Sequence, residues 1–240
     1  MELRGRRALV TGAGVRVGRV IARSLMERGV HTAIHYAHSE QGARELSAAA
    51  PKGVNAPTIA ADLADAHAAR GLGARASQAL GGLDILVNSA AIMEQRSVEG
   101  ATPDDWDRTM NLNLRGAYFV AQGAAAEMPD GGAIVNIADL AALERWTSYA
   151  VHCISKAGVV VMTELMAKAY APKIRVNAIA PGAVLLPDDW DEATRQKFAD
   201  TTPLKRLGSP ADVAAAVIYL LENDYVTGET LVVDGGRRIR

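Results

Sequence analysis

Disulfides are the first thing this chain does without. Its 240 residues include one cysteine, Cys153, so no internal disulfide is available and a reducing, cytoplasmic setting fits best. Aromatic residues are scarce at 5%, so a core has to be built mainly from Ala, Val, Leu and Ile. Net charge is nearly absent: 26 Lys and Arg against 27 Asp and Glu leave −1, with no overall attraction to nucleic acid or an anionic membrane. No apolar run approaches membrane-spanning length, and Met1-Glu2-Leu3-Arg4-Gly5 lacks the apolar centre of a signal peptide. Metal-ligand spacing is missing among the His and Cys residues, apart from the neighbours His152 and Cys153. No linker, repeat or low-complexity tract divides the chain. One soluble domain over residues 1–240 is the expectation.

What is present begins with glycine in one place. Ala8-Leu9-Val10 reads as a short buried strand, and a helical pattern runs from Arg16 to Gly29. Gly12, Gly14 and Gly18 lie between or just beyond, where the backbone needs positive φ or close approach to a bound group. The N–H groups and dipole of the following helix make a seat for a pyrophosphate. In a chain that alternates strands and helices, this is a dinucleotide-binding turn.

The alternation continues. Val30 to Tyr36 reads as a second strand, Ser39 to Ala50 as a helix, and Val54 to Ala60 as a third strand ending near Asp62 and Leu63. A helix from Asp65 to Leu80 is weakened by Gly71 and Gly73. Leu83 to Val87 is a fourth strand closed by Asn88-Ser89-Ala90-Ala91, a strand end that in a parallel sheet faces the ligand crevice. Thr102-Pro103-Asp104-Asp105 starts a helix that carries Asn111, Asn113 and Tyr118 to about Ala126. A fifth strand, Ala133 to Ala138, ends at Asp139; the next helix holds His152, Lys156 and Glu164. A sixth strand, Ile174 to Ala180, ends at Pro181-Gly182. Ala183 to Gly208 reads as a polar, irregular lid over the substrate. Ser209 caps a last helix to Glu222, and Thr230 to Asp234 is the final strand.

After the second strand, NAD-binding folds often place an acid on the ribose, about 20 residues past the glycines. This chain offers His35, Tyr36, His38 and Ser39 there, with Arg16 in the turn. A carboxylate repels a 2′-phosphate and an arginine pairs with one, so NADPH is favoured over NADH. Taken singly, His35 and His38 also read as solvent-facing loop residues.

With these residues in place, the chain resembles the short-chain dehydrogenase/reductase family over nearly its whole length. The family's Thr-Gly-x-x-x-Gly-x-Gly stands as Thr11 to Gly18 with Arg16 for the middle glycine, and its Asn-Asn-Ala-Gly as Asn88-Ser89-Ala90-Ala91. Pro181-Gly182 and Val233-Asp234-Gly235-Gly236-Arg237 match as well. Arg16 and the segment from His35 to Ser39 are similar to the pteridine reductase and dihydromonapterin reductase branch. The resemblance implies a doubly wound α/β domain of the Rossmann type, a parallel sheet of about seven strands flanked by helices. It implies NADPH held by Gly12, Gly14, Val15, Arg16, Val17, Gly18, His35, Tyr36, His38, Ser39, Asp62, Leu63, Asn88, Ser89, Ala90, Lys156, Pro181, Gly182 and Val184. It also implies a homodimer or homotetramer, and hydride transfer to a carbonyl or imine.

In that family a Tyr donates the proton, a Lys four residues later lowers the Tyr pKa and holds the ribose, a Ser positions the substrate, and an Asn holds a water. Lys156 matches the Lys, Asn113 the Asn, and Asp139 stands in the Ser position, as it does in pteridine reductases. The Tyr position is His152. Tyr149 does not replace it, because it lies seven residues before Lys156 and the chemistry needs the adjacent turn. Three readings follow for His152: an imidazole proton donor, a site that binds NADPH with most of its chemistry lost, or a substitution introduced to trap a complex. The loop Ile92-Met93-Glu94-Gln95-Arg96 lacks the aromatic ring that pteridine reductases use as a clamp, leaving Trp146 or Trp190 to supply one. Pterin-like and keto substrates both stay open, and acids at Asp188, Asp189, Asp191 and Glu192 argue against a highly anionic one.

Overall fold

The computed structural model describes residues 1–184 and 191–239. Seven parallel strands form one sheet in the order β3-β2-β1-β4-β5-β6-β7. They are β1 (Arg7–Val10), β2 (His31–Tyr36), β3 (Thr58–Ala60), β4 (Ile85–Asn88), β5 (Gly132–Ile137), β6 (Ile174–Pro181) and β7 (Thr230–Val233). The central strands are buried on both faces, which is why they read as continuous apolar runs rather than alternating ones. Strand order reverses between β1 and β4, opening a crevice at their C-terminal ends.

One face of the sheet is covered by α1 (Arg16–Glu27), α2 (Glu40–Ala48) and α9 (Pro210–Glu222), through Ile21, Leu25, Leu46 and Val217. The other carries α3 (Ala66–Leu80), α5 (Ala117–Glu127) and α7 (Ala150–Tyr170), through Leu72, Val120, Met162 and Met166. Gly73 does not simply weaken α3. A Cβ there would stand 2.6 Å from the backbone of Ala124, so the glycine is where α3 and α5 touch.

Thr102 and Asp105 close a reciprocal capping box at the start of α4 (Pro103–Met110). The chain then passes through a π-helical turn, Asn111–Gly116, into α5. The extra residue in that turn aims Asn113 into the interior rather than along a regular helix face.

Three expectations are corrected. The third strand is shorter than 54–60: Pro57 has no N–H to give, so residues 55–57 accept from Thr32 and Ile34 through carbonyls without closing a full ladder. The lid is not wholly irregular. Asp191 caps the Thr194 N–H at 2.8 Å and starts α8 (Glu192–Asp200), with Glu192 at the positive end of the helix. Pro187, Asp188, Asp189 and Trp190 lie outside the described residues. Finally, α7, 21 residues long, meets the length and apolarity of a membrane span, contrary to the sequence reading. It is the core helix of the domain, and more than half of its apolar window is buried within the fold.

Candidate active site

The turn after β1 is tied down before any ligand is considered. Thr11 Oγ1 accepts from the N–H groups of Ser89 and Ala90 at 2.9 and 3.0 Å, joining the turn to the loop after β4. Gly12 has φ +65°, and a Cβ there would come within 2.9 Å of Ala90 Cα. At Gly14 a Cβ would meet the carbonyl of Ser39 at 2.6 Å. Val15 precedes α1 with no side-chain cap, and the first turn carries no acid. The N–H groups at the head of α1 therefore have no competing carboxylate, which suits a pyrophosphate. Val15 and Arg16 are exposed, Val17 is half-buried and Gly18 is buried. Arg16 has φ +53°, a conformation that glycine takes freely and arginine does not.

His35 is corrected outright. It does not face solvent, and both of its ring nitrogens are bonded within the protein. Gly12 N–H donates to its Nδ1 at 3.1 Å, and its Nε2–H donates to the Ala61 carbonyl at 3.1 Å. Burial holds its pKa down at about 4, against the opposing hydrogen bond to Ala61. A neutral, doubly bonded imidazole shapes the turn and has no proton for a phosphate. His38 is exposed, with Tyr36 and Ser39 half-buried beside it.

Two further side chains turn away from the crevice. Asn88 Nδ2 donates to Ala117 O and Asn136 Oδ1, at 3.1 and 3.0 Å, within a buried polar cluster that continues to Thr163. Leu63 is packed in the core. Both positions offer a ligand only their backbone. Asp62 is exposed and accepts from the Ala64 N–H at 2.9 Å. Ser89 and Ala90 are half-buried at the mouth of β4. Pro181 O accepts from the Leu140 N–H, and Gly182 N–H donates to Val233 O. Val184 lines a cavity of about 520 Å³ with Leu204, Leu207 and Arg237.

The candidate catalytic side chains gather where β5 ends. Asp139 Oδ1 accepts from the Ala141 N–H at 2.8 Å, at the start of the short helix α6 (Ala141–Glu144). Its other oxygen, Oδ2, lies 3.6 Å from His152 Nε2. The acid is thus both a helix cap and a partner for the imidazole, one role to each oxygen. His152 Nδ1–H donates to the Ile92 carbonyl at 3.2 Å. Lys156 is buried, and its ammonium donates to Ile137 O at 2.8 Å. Burial lowers its pKa to about 8, with Asp139 opposing. Asn113 grips the Ile92 peptide: Oδ1 accepts its N–H at 2.9 Å, and Nδ2 donates to its carbonyl at 2.8 Å and to Ser155 Oγ at 3.2 Å. Both amide hydrogens are used within the fold, on Ile92 O and Ser155 Oγ.

Sequence reasoning missed Ile92 and Ser155. Ile92 acts through its backbone, which leaves no mark on residue type; Ser155, three residues after His152 on one helix face, was detectable from spacing. Tyr149 sits ahead of the first turn of α7, its ring edge-on to Trp146 at 6.2 Å. Trp146 is held in turn: Nε1–H donates to Glu144 at 2.6 Å, and Arg237 lies over its ring at 5.7 Å and over Phe198 of α8 at 4.3 Å.

A family model described as enoyl-(acyl carrier protein) reductase matches residues 12–238. L-rhamnose 1-dehydrogenase (NAD(P)(+)) of Sphingomonas sp. is 35% identical, over 98% of this chain and 96% of its own length. The 3-oxoacyl-(acyl-carrier-protein) reductase FabG of Staphylococcus aureus is 33% identical, over 95% of this chain and 96% of its own length. Among solved structures, a short chain dehydrogenase from Burkholderia cenocepacia in complex with NADP superposes with TM-score 0.92 at 34% identity, covering 99% of each chain.

Proposed function

Because the chain belongs to the short-chain dehydrogenase/reductase family, a family of NAD(P)-dependent oxidoreductases, we propose that it reduces a ketone-type carbonyl or an imine with NADPH. The observation that carries this reading is buried His152, its Nε2 3.6 Å from Asp139, on the same helix as buried Lys156. NADPH supplies the hydride when bound. The N–H groups at the head of α1, beyond those of Gly12 and Ala13 that are bonded to His35, take the pyrophosphate, and Arg16, His38 and Ser39 take the 2′-phosphate. Lys156 supplies positive charge on the ribose side. His152 Nε2 gives its proton to the substrate oxygen, and the Asp139 carboxylate holds the imidazolium until it does.

Support for a keto substrate comes from the loop after β4, which carries no aromatic clamp, and from a relative named as a 3-oxoacyl reductase. Pterins belong in the substrate panel because Arg16 and Asp139 follow the pteridine reductase pattern. A homodimer or homotetramer belongs to the same reading: α7 exposes Ile154, Val161 and Leu165 on one face, an apolar stripe suited to a second copy. Cys153, the lone cysteine, supports a cytoplasmic setting.

A second reading, a non-catalytic NADPH-binding protein, draws on the missing phenol and on the Lys156 ammonium being engaged by Ile137 O. Titration with NADPH and NADH, followed by absorbance at the nicotinamide band with ketones and pterins, separates the two when repeated on His152→Tyr. Turnover in the natural chain that disappears on substitution of His152 supports the imidazole as acid. Binding without turnover, with activity only in His152→Tyr, supports the second reading. No binding of either cofactor overturns both.

A further inference from the structure

We propose that the Ile92 carbonyl, clamped by Asn113 and Ser155, fixes the tautomer of His152 and so makes Nε2 the nitrogen that gains and loses the catalytic proton. The inference rests on His152 being the proton donor and names what positions it.

The backbone of Ile92 is held on both sides of its Cα. Its N–H and C=O are both held by the one amide of Asn113, at 2.9 and 2.8 Å. The second Asn113 hydrogen goes to Ser155 Oγ, and the Ser155 hydroxyl donates to the His152 carbonyl at 2.7 Å. The ring of His152 is thereby anchored through Ile92 and its backbone through Ser155. Asn113, Ser155 and His152 are buried and Ile92 is half-buried, so the bonds that run through Ser155 are shielded from water.

The consequence for the ring follows from donor and acceptor counting. Ile92 O has only lone pairs to offer, 3.2 Å from Nδ1. A bare Nδ1 would set acceptor against acceptor at 3.2 Å, so the proton stays on Nδ1. Nε2 has no hydrogen-bond partner among the described residues and faces Asp139 Oδ2 at 3.6 Å. Only the imidazolium presents a hydrogen to both neighbours. When Nε2–H passes its proton to the substrate oxygen, the neutral ring keeps Nδ1–H on Ile92 O. Recovery of a proton at Nε2 restores the imidazolium without turning the ring. Ile92, Asn113 and Ser155 are positioning residues, since none is asked to touch the substrate.

Long-range proton–nitrogen NMR of histidine-labelled protein, free and with NADPH, reads the tautomer independently of turnover; the His152→Tyr spectrum assigns the signals. The neutral His152 ring should show protonated Nδ1 and bare Nε2. In Asn113→Ala the population should move toward Nε2–H, and kcat should fall roughly tenfold or more with KM nearly unchanged. Ser155→Ala should do the same to a lesser degree, and Ser155→Thr, which keeps the hydroxyl, should restore the natural spectrum. A natural protein with Nε2–H, or a tautomer unmoved in both alanine variants, overturns the proposal. Should Asn113→Ala fail to fold, the natural spectrum and the Ser155 pair decide. The expected tautomer in a protein without turnover would leave the positioning intact and reject the proton-donor reading on which it rests.

Discussion

Two histidines lie in two regions of the crevice, and their fates differ. His35, beneath the turn of the cofactor half, has a donor on one ring nitrogen and an acceptor for the other. His152, in the catalytic half, has one nitrogen bonded to a carbonyl and the other facing a carboxylate. Both are buried. Burial alone therefore does not tell the two histidines apart. The difference lies in the second nitrogen: in His35 it donates to the Ala61 carbonyl at 3.1 Å, whereas in His152 it faces the Asp139 carboxylate at 3.6 Å without a hydrogen bond.

The largest effect that sharpens this contrast is on turnover. His152→Ala should lower kcat by about 10²- to 10⁴-fold, the span of a lost general acid, while NADPH affinity by fluorescence titration holds within about twofold. Unchanged kcat would erase the distinction between the two rings. The converse substitution, His35→Ala, should strand the Gly12 N–H and the Ala61 carbonyl and open a cavity, costing about 3 kcal/mol in denaturant unfolding. The NADPH affinity of that variant should weaken through the loosened turn.

The same ring sets an acid limit. His35 has a folded pKa of about 4 against an ordinary 6.5, so between those values the unfolded chain binds the extra proton. Stability from the neutral ring is complete above about pH 6.5 and is lost as pH falls toward 4, up to about 3 kcal/mol in all. Melting temperature across this window should fall more steeply in the natural protein than in His35→Gln. Equal slopes would mean the ring is not held neutral.

The smallest effect tests Arg16. Arg16→Gly relieves a left-handed arginine and should raise stability by about 1 kcal/mol. It should also reduce the preference for NADPH over NADH about 10-fold or more, the loss expected for a charge-assisted bond to phosphate. A preference left intact would move phosphate recognition to His38 and Ser39.

Much of the architecture was legible because it follows from local chemistry. Apolar runs of strand length, the Thr102 and Ser209 caps and the glycines of the turn place their elements within a few residues of where they fold. The candidate site was legible where side-chain type and spacing carry it, as with Asp139 and His152, which the fold brings to 3.6 Å. It was illegible where one position admits two orientations: Asn88 at a strand end reads as crevice-facing, yet a buried amide partner, Asn136, draws its side chain inward. The polar stretch after β6 hid α8 because Asp191 reads as one more surface acid until it caps a helix.

By itself, the sequence determined the order and kind of the elements, the glycine-lined turn and an imidazole, His152, four residues before Lys156. Those are properties of neighbours along the chain. Only the tertiary structure decided that His35 is a strut and that Ile92, Asn113 and Ser155 hold His152. A hydrogen bond from a ring to a carbonyl 60 residues away has no signature in residue type, because every residue carries that carbonyl and folding alone selects which one the ring meets.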